Sequence, residues 1–296
     1  MSIQGTVVAL GPKPLRGLVG RLRIRRSPAR RSLERHFANG GAPVVLTDAY
    51  DMRFVLYAWE LDLADELLSK AYDRPDFRCI AKLLAPGGTA VDVGANVGAH
   101  SIMMSRTVGS GGRVLAFEPV PATAWQMREH LALNKVENVE LVEAAISNAP
   151  GTVEMSLFDQ RHAAWNSRNG VAIDGIAPIE TVDVRADTLD DAMRRCGVER
   201  INFLKIDVEG YELDALSGAP DLLAAGAVDY LCFEISQTPL EASGHEAREL
   251  FALLASFGYR CFRFDEDGDR FVGPFEDSDD AYVNFYASRE DLRLLR

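Results

Sequence analysis

The 296-residue sequence lacks a long apolar run, a close pair of cysteines and an excess of basic residues. No apolar stretch approaches the roughly 20 residues that cross a bilayer. The first ten residues place a short apolar run ahead of the basic residues, the reverse of a signal peptide. We therefore expect a cytoplasmic globular protein, and the length suits one large α/β domain with a buried core.

Cysteine is scarce and widely spaced. The four cysteines are Cys79, Cys196, Cys232 and Cys261, and no C-x-x-C pair is present. This spacing is typical of reduced, mostly buried thiols and argues against disulfides and a zinc site.

Positive charge is concentrated near the amino terminus. The whole chain has 32 basic and 44 acidic residues, a net charge of −12. Residues 1–40 hold nine basic residues and one acid, so they carry +8 and leave −20 on the rest of the chain. The acidic remainder argues against a nucleic-acid substrate. The basic arm, residues 1–40, suits an anionic partner or a membrane face, or is a loosely held terminus.

The most informative stretch is Thr89–His100. A β-branched run ends at Asp92, breaks into Gly94-Ala-Asn-Val-Gly98, and is followed by helix formers. This pattern predicts a strand, a tight turn and a helix N-terminus. Glycines leave the backbone open to a ligand, and the free N–H groups of the helix favour an anionic group. The turn residues predicted to bind a cofactor are Gly94, Ala95, Asn96 and Gly98.

The glycine pattern helps to choose the cofactor. A dinucleotide site has the pattern G-x-G-x-x-G, whose middle glycine lets the backbone approach a pyrophosphate. Here Asn96 takes that position and the spacing differs. The next predicted strand ends at Glu118, whose carboxylate can accept both hydroxyls of a ribose in either cofactor class. Asp92 and the missing glycine favour S-adenosylmethionine, which has an amino group and no pyrophosphate.

Four segments, in this order, resemble the FkbM-type family of S-adenosylmethionine-dependent methyltransferases: Asp92–Gly98, Phe117–Pro119, Thr188–Asp190 and Lys205–Gly210. The resemblance extends over most of the chain. It implies an α/β, Rossmann-like class I methyltransferase sheet, mostly parallel with an antiparallel edge strand and with helices on both faces. It also implies O-methylation of a hydroxyl on a secondary metabolite, such as a polyketide, or on a saccharide or glycan.

The resemblance also implies cofactor contacts beyond the turn. Glu118 and Pro119 follow the second strand of the predicted sheet. Ala144 and Ala145 lie near the end of the third predicted strand, Asn138–Ile146, where such enzymes touch the adenine. An ordinary strand end is the alternative for these two alanines.

A second group of charged residues follows the nearly apolar strand Ile201–Asp207, which should lie in the centre of the sheet. Ligands bind at the carboxyl ends of central strands in open α/β sheets, so Asp207 and Glu209 are candidates for the chemistry. A structural ion pair is the alternative for Lys205. Asp207 is the first candidate: it positions the methionine amino group, acts as a base, or binds Mg²⁺ together with Glu234.

The predicted catalytic residues are Asp207, Glu209 and His162. His162 lies with Trp165 and Asn166 on the long segment Phe158–Pro178, and loops of this length are often functional. S-adenosylmethionine is the expected cofactor, and Mg²⁺ is an optional second one that nothing in the sequence requires.

We divide the chain into the basic arm 1–40, a β-hairpin and helical cap 41–86, and a cofactor-binding methyltransferase domain 87–296. The expected partner is a small-molecule or glycan acceptor. A nicotinamide-dependent oxidoreductase would need a Tyr-x-x-x-Lys or similar pair, which we do not find. A non-catalytic adenosyl-binding or partner-recruiting protein of the same fold is the other alternative.

Overall fold

The computed structural model describes residues 28–58, 60, 61, 63, 64, 74–158, 166, 168 and 177–295. The chain forms two compact units, Met1–Tyr72 and Asp73–Arg296. Most of the basic arm and part of the predicted helical cap lie outside the described residues. Among the described residues, no helix combines the length and the apolar character needed to cross a bilayer.

The first unit contains helix α1, Pro28–Ala38, and a β-hairpin. Strands β1, Val44–Thr47, and β2, Arg53–Leu56, pair antiparallel, which confirms the predicted hairpin. The Asp48 carboxylate accepts hydrogen bonds from the backbone N–H groups of Tyr50 and Met52, so its side chain fixes the turn.

The second unit alternates strands and helices. Its strands are β3 (Thr89–Val93), β4 (Arg113–Phe117), β5 (Val139–Val142), β6 (Ala145–Ile146), β7 (Gly151–Leu157), β8 (Glu180–Asp187), β9 (Ile201–Ile206), β10 (Val228–Ser236), β11 (Arg260–Asp265), β12 (Arg270–Phe275) and β13 (Tyr282–Ser288). Its described helices are α2 (Arg74–Leu83), α3 (Ala99–Val108), α4 (Pro121–Leu133), α5 (Leu189–Cys196), α6 (Glu212–Ser217), α7 (Pro220–Ala225), α8 (Gln237–Ala242) and α9 (Ala247–Ser256), with a 3₁₀ helix at Leu292–Leu294.

Side chains in the sequence set several of these helix ends. Thr188 accepts a hydrogen bond from the N–H of Asp191 and so caps α5, and Gly197 ends this helix in the left-handed conformation. Glu246 and Glu249 form a capping box at the start of α9.

Eight strands form the central sheet in the order β12-β11-β13-β10-β9-β3-β4-β5. Neighbours from β10 to β5 are parallel, which confirms the mostly parallel α/β sheet and places β9 well inside it. Strand β13 is antiparallel to both β10 and β11, and β12 is the antiparallel edge strand. We did not predict β12 from the sequence.

The single strand predicted over residues 138–146 was wrong in extent. The backbone turns after β5, where the N–H of Ala144 donates to the carbonyl of Val142 across 3.0 Å. The next residues form β6, which joins β8 and β7 in a separate three-stranded sheet. A tight turn therefore splits a continuous apolar stretch between two sheets.

Candidate functional site

The parallel strands bring the predicted residues to one edge of the sheet. Registers align Phe233, Ile206, Val93 and Phe117 across β10, β9, β3 and β4. The next residue on each chain segment is Glu234, Asp207, Gly94 or Glu118. We call this set the carboxyl-edge row. It joins residues that are up to 140 positions apart in the sequence.

Backbone hydrogen bonds define the turn after β3. The N–H groups of Gly94 and Ala95 both donate to the carbonyl of Phe117 across 3.0 Å. Asn96 adopts a φ of +49°, which asparagine tolerates better than most residues. Gly98 is the N-cap of α3, so the N-cap residue supplies no side-chain cap to this helix. The positive end of α3 therefore lies at the turn, and Gly98 offers no anionic side chain to neutralise it.

The two glycines of the turn are required by packing within the protein. A Cβ on Gly94 would lie 1.8 Å from the carbonyl oxygen of Asp207, and φ at Gly94 is +79°. A Cβ on Gly98, whose φ is +89°, would lie 2.9 Å from Cγ of Met127. These glycines therefore let the turn pack against the end of β9 and against α4, and their role in leaving room for a ligand stays a prediction.

Glu118 links the turn to the end of β4. One carboxylate oxygen accepts from the N–H of Asn96 at 3.0 Å, and the other accepts from the N–H of Val120 at 2.9 Å. Burial raises the pKa of Glu118 to about 7, against the opposing effect of these hydrogen bonds, and the charge of Asp92 adds to the increase. Pro119 beside it is half-buried.

Asp92 lies beneath the turn. Its side chain is fully buried, and the Ser101 hydroxyl donates to Oδ2 at 2.6 Å. Oδ1 lies 3.9 Å from Nζ of Lys205 and has no hydrogen-bond partner in the described part of the chain. Asp92 therefore holds Ser101 by a hydrogen bond and places a negative charge near Lys205.

Lys205 forms the ion pair that was the alternative interpretation for this residue. Its buried Nζ donates to Oδ2 of Asp207 at 2.9 Å. Burial by itself lowers the pKa of Lys205, but the carboxylates of Asp207 and Asp92 outweigh this effect and raise the pKa above its usual value. The lysine is therefore positively charged and fixes Asp207 at the edge of the sheet.

The acidic cluster consists of Asp207, Glu209 and Glu234. One carboxylate oxygen from each residue lies within 4.8 Å of the others. Burial raises the pKa of Glu234 well above its usual value, and Asp207 and Glu209 add to the shift. Burial, together with Asp207 and Glu212, raises the pKa of Glu209 to about 8. The structure thus adds Glu209 to the pair of carboxylates, Asp207 and Glu234, proposed from the sequence as metal ligands.

Glu212, which the sequence analysis did not single out, shapes the loop that carries Glu209. Its carboxylate accepts from the N–H groups of Val208 at 3.0 Å and Gly210 at 3.2 Å. Glu209 itself adopts a φ of +52°, which is uncommon for a residue with a long side chain. The loop conformation therefore depends on a buried acid three residues away.

A polar network between α2 and β13 was also missed. The Asp76 carboxylate accepts from the amide of Asn284 at 2.7 Å and from the hydroxyl of Tyr286, and it lies 3.7 Å from Nε2 of His100. More than 200 residues separate Asp76 from its two strand partners. The signal in the sequence is that Asn284 and Tyr286, two residues apart, place polar groups on the same face of the largely apolar strand β13.

Other predicted residues have separate positions. Asp190 accepts from the N–H groups of Asp221 and Leu222, so this acid caps α7. Asn166 accepts from the N–H of Phe158 at 2.9 Å. Ala144 and Ala145 are buried beyond the end of β5. His162 and Trp165 lie outside the described residues.

The site can be compared with known proteins. Residues 92–261 match the family described as the methyltransferase FkbM domain. Methyltransferase sdnD of Sordaria araneosa is 30% identical over 156 residues, 44% of this chain and 60% of that protein. Hexuronic acid methyltransferase AglP of Haloferax volcanii is 26% identical and is covered to 68%, with 62% of this chain aligned. The 2-O-methyltransferase NoeI of Sinorhizobium fredii is 25% identical and is covered to 75%, with 60% of this chain aligned.

The family match covers more than half of the chain and includes every residue of the carboxyl-edge row. It also includes the turn before α3 and the whole acidic cluster. The four cysteines are free, and three are buried, as expected from their spacing. The chain therefore belongs to the FkbM family of S-adenosylmethionine-dependent methyltransferases.

Proposed function

We propose that the protein transfers a methyl group from S-adenosylmethionine to an oxygen atom of a small molecule or a saccharide. The observation that carries this proposal is the carboxyl-edge row, in which Glu118 and Asp207 flank the turn before α3. Ligands bind at this edge in open α/β sheets. Family membership supports the cofactor, and the geometry supports the following distribution of roles.

The turn and Glu118 fit an adenosyl ligand. Helix α3 begins after Gly98, whose lack of a side chain leaves the first N–H groups of the helix without a cap from the N-cap residue. These donors suit the carboxylate of the methionine portion. Each oxygen of Glu118 accepts one backbone hydrogen bond and has a further lone pair, so the carboxylate can also accept the ribose hydroxyls. Ala144 and Ala145 are the proposed small residues near the adenine.

Asp207 is the proposed contact for the amino group of the methionine portion. Its side chain is 31% exposed, whereas that of Asp92 is fully buried. Asp207 therefore offers the accessible carboxylate at this edge, and Asp92 acts indirectly through Lys205 and Ser101. When bound, the cofactor supplies an electrophilic methyl carbon on a sulfonium.

Oxygen methylation also requires removal of a proton. The bond from carbon to sulfur breaks with its electrons going to sulfur, a carbon–oxygen bond forms, and a hydroxyl acceptor loses its proton. The acidic cluster places the carboxylates of Glu209 and Glu234 close to that of Asp207. We propose that this cluster receives the acceptor hydroxyl and its proton, with Asp207 and Glu209 as the catalytic candidates. His162 stays a prediction from the sequence.

The names of the relatives support an oxygen acceptor. One relative is named for a hexuronic acid and another for 2-O-methylation. A saccharide offers several hydroxyl oxygens, and a uronic acid also offers a carboxylate. We propose a saccharide or a hydroxylated secondary metabolite as the acceptor.

For the basic arm, we propose an anionic partner or a membrane face. The four free thiols support the expectation of a reducing, cytoplasmic environment.

Calorimetric titration and methyl incorporation test the proposal. We expect S-adenosylmethionine and S-adenosylhomocysteine to bind, and NADH not to bind. Radiolabelled methyl groups should enter an extract fraction that contains glycans or polyketides. Binding of NADH without binding of the adenosyl compounds would contradict the proposal. Adenosyl binding without methyl incorporation into any fraction would instead favour the non-catalytic alternative.

A further inference from the structure

We infer that Asp207, Glu209 and Glu234 together bind one divalent cation of the Mg²⁺ or Mn²⁺ type. These three residues are the acidic cluster defined above, and Glu209 is a third ligand beside Asp207 and Glu234, the pair suggested by the sequence. Carboxylate oxygens are the preferred ligands of these hard cations. The ligand set consists of three carboxylates without histidine or cysteine, so it disfavours zinc.

The distances suit a cation of this size. One oxygen from each of the three residues lies within 4.8 Å of the other two. Two oxygens on opposite sides of a cation, each at about 2.1–2.5 Å, are about 4.2–5.0 Å apart. The three oxygens can therefore reach one cation with small side-chain adjustments, and the remaining coordination positions are available to water or to an acceptor.

Glu234 supplies a second, independent observation. Its side chain is 4% exposed, and its Oε1 has no hydrogen-bond partner within the described structure. A buried carboxylate oxygen without a partner carries a large desolvation cost, and natural proteins usually satisfy such atoms. A cation shared with Asp207 and Glu209 would neutralise this buried carboxylate, which lies in the same group of three acids.

The excess of negative charge around Lys205 also favours a bound cation. Lys205 donates to Asp207 and also faces Asp92 at 3.9 Å, so two carboxylates share its single positive charge. Glu209 and Glu234 add two further carboxylates at the same edge. A divalent cation would reduce the repulsion among these groups.

The two strands and the loop place the ligands with different rigidity. Glu234 is in β10, and Asp207 directly follows β9, so the parallel pairing of these strands fixes their spacing. Glu209 lies on the loop that Glu212 holds through Val208 and Gly210. Two ligands are therefore fixed by the sheet, and the third closes the site from the loop.

The role of the cation rests on the proposed function. A cation at this position would bind the acceptor oxygen and favour its deprotonated form, which is the nucleophile in methyl transfer. The site itself, by contrast, is defined by this chain's own carboxylates and is tested in the absence of cofactor and acceptor.

Manganese titration of the full chain, followed by electron paramagnetic resonance of free Mn²⁺, tests the inference. We expect one Mn²⁺ per chain and displacement of this ion by excess Mg²⁺. Glu234→Gln should weaken binding at least tenfold. Because Glu234 is buried, Glu209→Gln on the half-buried loop is a second variant with the same expected loss. Circular dichroism confirms that each variant is folded.

Asp267→Asn is the matched control. Asp267 is an exposed acid in the turn between β11 and β12, close to other acids, and its replacement should change Mn²⁺ affinity less than twofold. The inference is overturned if the wild-type chain binds no Mn²⁺ below millimolar concentration, or if the folded Glu209→Gln variant keeps wild-type affinity. A separate titration of the wild-type chain with S-adenosylhomocysteine tests the proposed function. If this compound does not bind, the proposed function is contradicted, whereas the result for Mn²⁺ binding is unaffected.

Discussion

The two ends of the carboxyl-edge row use their acids differently. At the Glu118 end, both carboxylate oxygens accept backbone N–H groups and thereby fix the turn before α3. At the other end, the acidic cluster groups three carboxylates, and one oxygen of Glu234 has no partner in the described part of the chain. The Glu118 end suits neutral hydroxyl donors, whereas the acidic cluster suits a cation or a group that loses a proton.

The largest predicted effect is at the acidic cluster. Asp207→Asn should reduce methyl transfer at least about 10³-fold, because it removes the charge that faces the methionine portion and the acceptor. Radiolabel incorporation into the extract fraction methylated by the wild-type chain measures the effect. Asp183→Asn, an exposed aspartate on β8, is the control and should keep full activity. Turnover of Asp207→Asn within tenfold of wild type would remove this residue from the chemistry.

The next effect concerns the turn that joins the two ends. Gly94→Ala should reduce the free energy of unfolding by about 3–4 kcal/mol, since the new Cβ meets the carbonyl of Asp207 and the positive φ is unfavourable. Gly197→Ala has a similar positive φ but open space around it, and should cost about 1 kcal/mol. Denaturant unfolding compares the two variants. Equal losses would show that the close approach to Asp207 does not matter.

The Glu118→Gln variant tests the role of the Glu118 end of the row in cofactor binding. The amide keeps one acceptor oxygen for the turn and loses the charged acceptor for the ribose, so the affinity for S-adenosylhomocysteine should fall about 10–100-fold. Calorimetry measures the dissociation constant. Glu209→Gln, at the acidic cluster, should change it much less. A similar loss in both variants would mean that the two ends are not functionally distinct.

The affinity for S-adenosylhomocysteine should also depend on pH. Glu118 has a pKa of about 7 in the free chain, and the ribose hydroxyls donate to its ionised form. Below pH 7, binding must therefore release a proton, so affinity should fall as the pH is lowered, by up to about tenfold per pH unit. Titrations in buffers with different ionisation enthalpies measure the proton release. Glu118→Gln should abolish this component, and an unchanged profile would contradict the assignment.

The smallest expected effect is at the amino terminus. Removal of residues 1–27 should change S-adenosylhomocysteine affinity less than twofold, because the predicted cofactor contacts all lie between Asp92 and Asp207. A large loss of affinity would show that the basic arm contributes to the cofactor site.

Much of the site could be predicted because its signals are local in sequence. Asp92, the glycine turn and the start of α3 are consecutive, and Glu118 and Asp207 each follow an apolar strand. Parallel pairing then aligns the strand ends, so the sequence predicted the edge at which they meet.

The remaining features depend on long-range packing. Asp76 in α2 bonds to Asn284 and Tyr286 in β13, more than 200 residues later, and the alternating polar residues of β13 do not indicate which partner they meet. The split of residues 138–146 between two sheets depends on a turn that the apolar pattern conceals. The packing role of Gly94 could not be predicted either, since the carbonyl oxygen that it approaches belongs to Asp207, more than 100 residues later.

A crystal structure of the chain with S-adenosylhomocysteine tests the central claim most directly. The account predicts ribose hydroxyls within hydrogen-bonding distance of Glu118, the amino-acid portion over the turn and beside Asp207, and the sulfur directed toward the acidic cluster. A nucleoside bound away from Glu118, or a sulfur that points away from Asp207, Glu209 and Glu234, would contradict it.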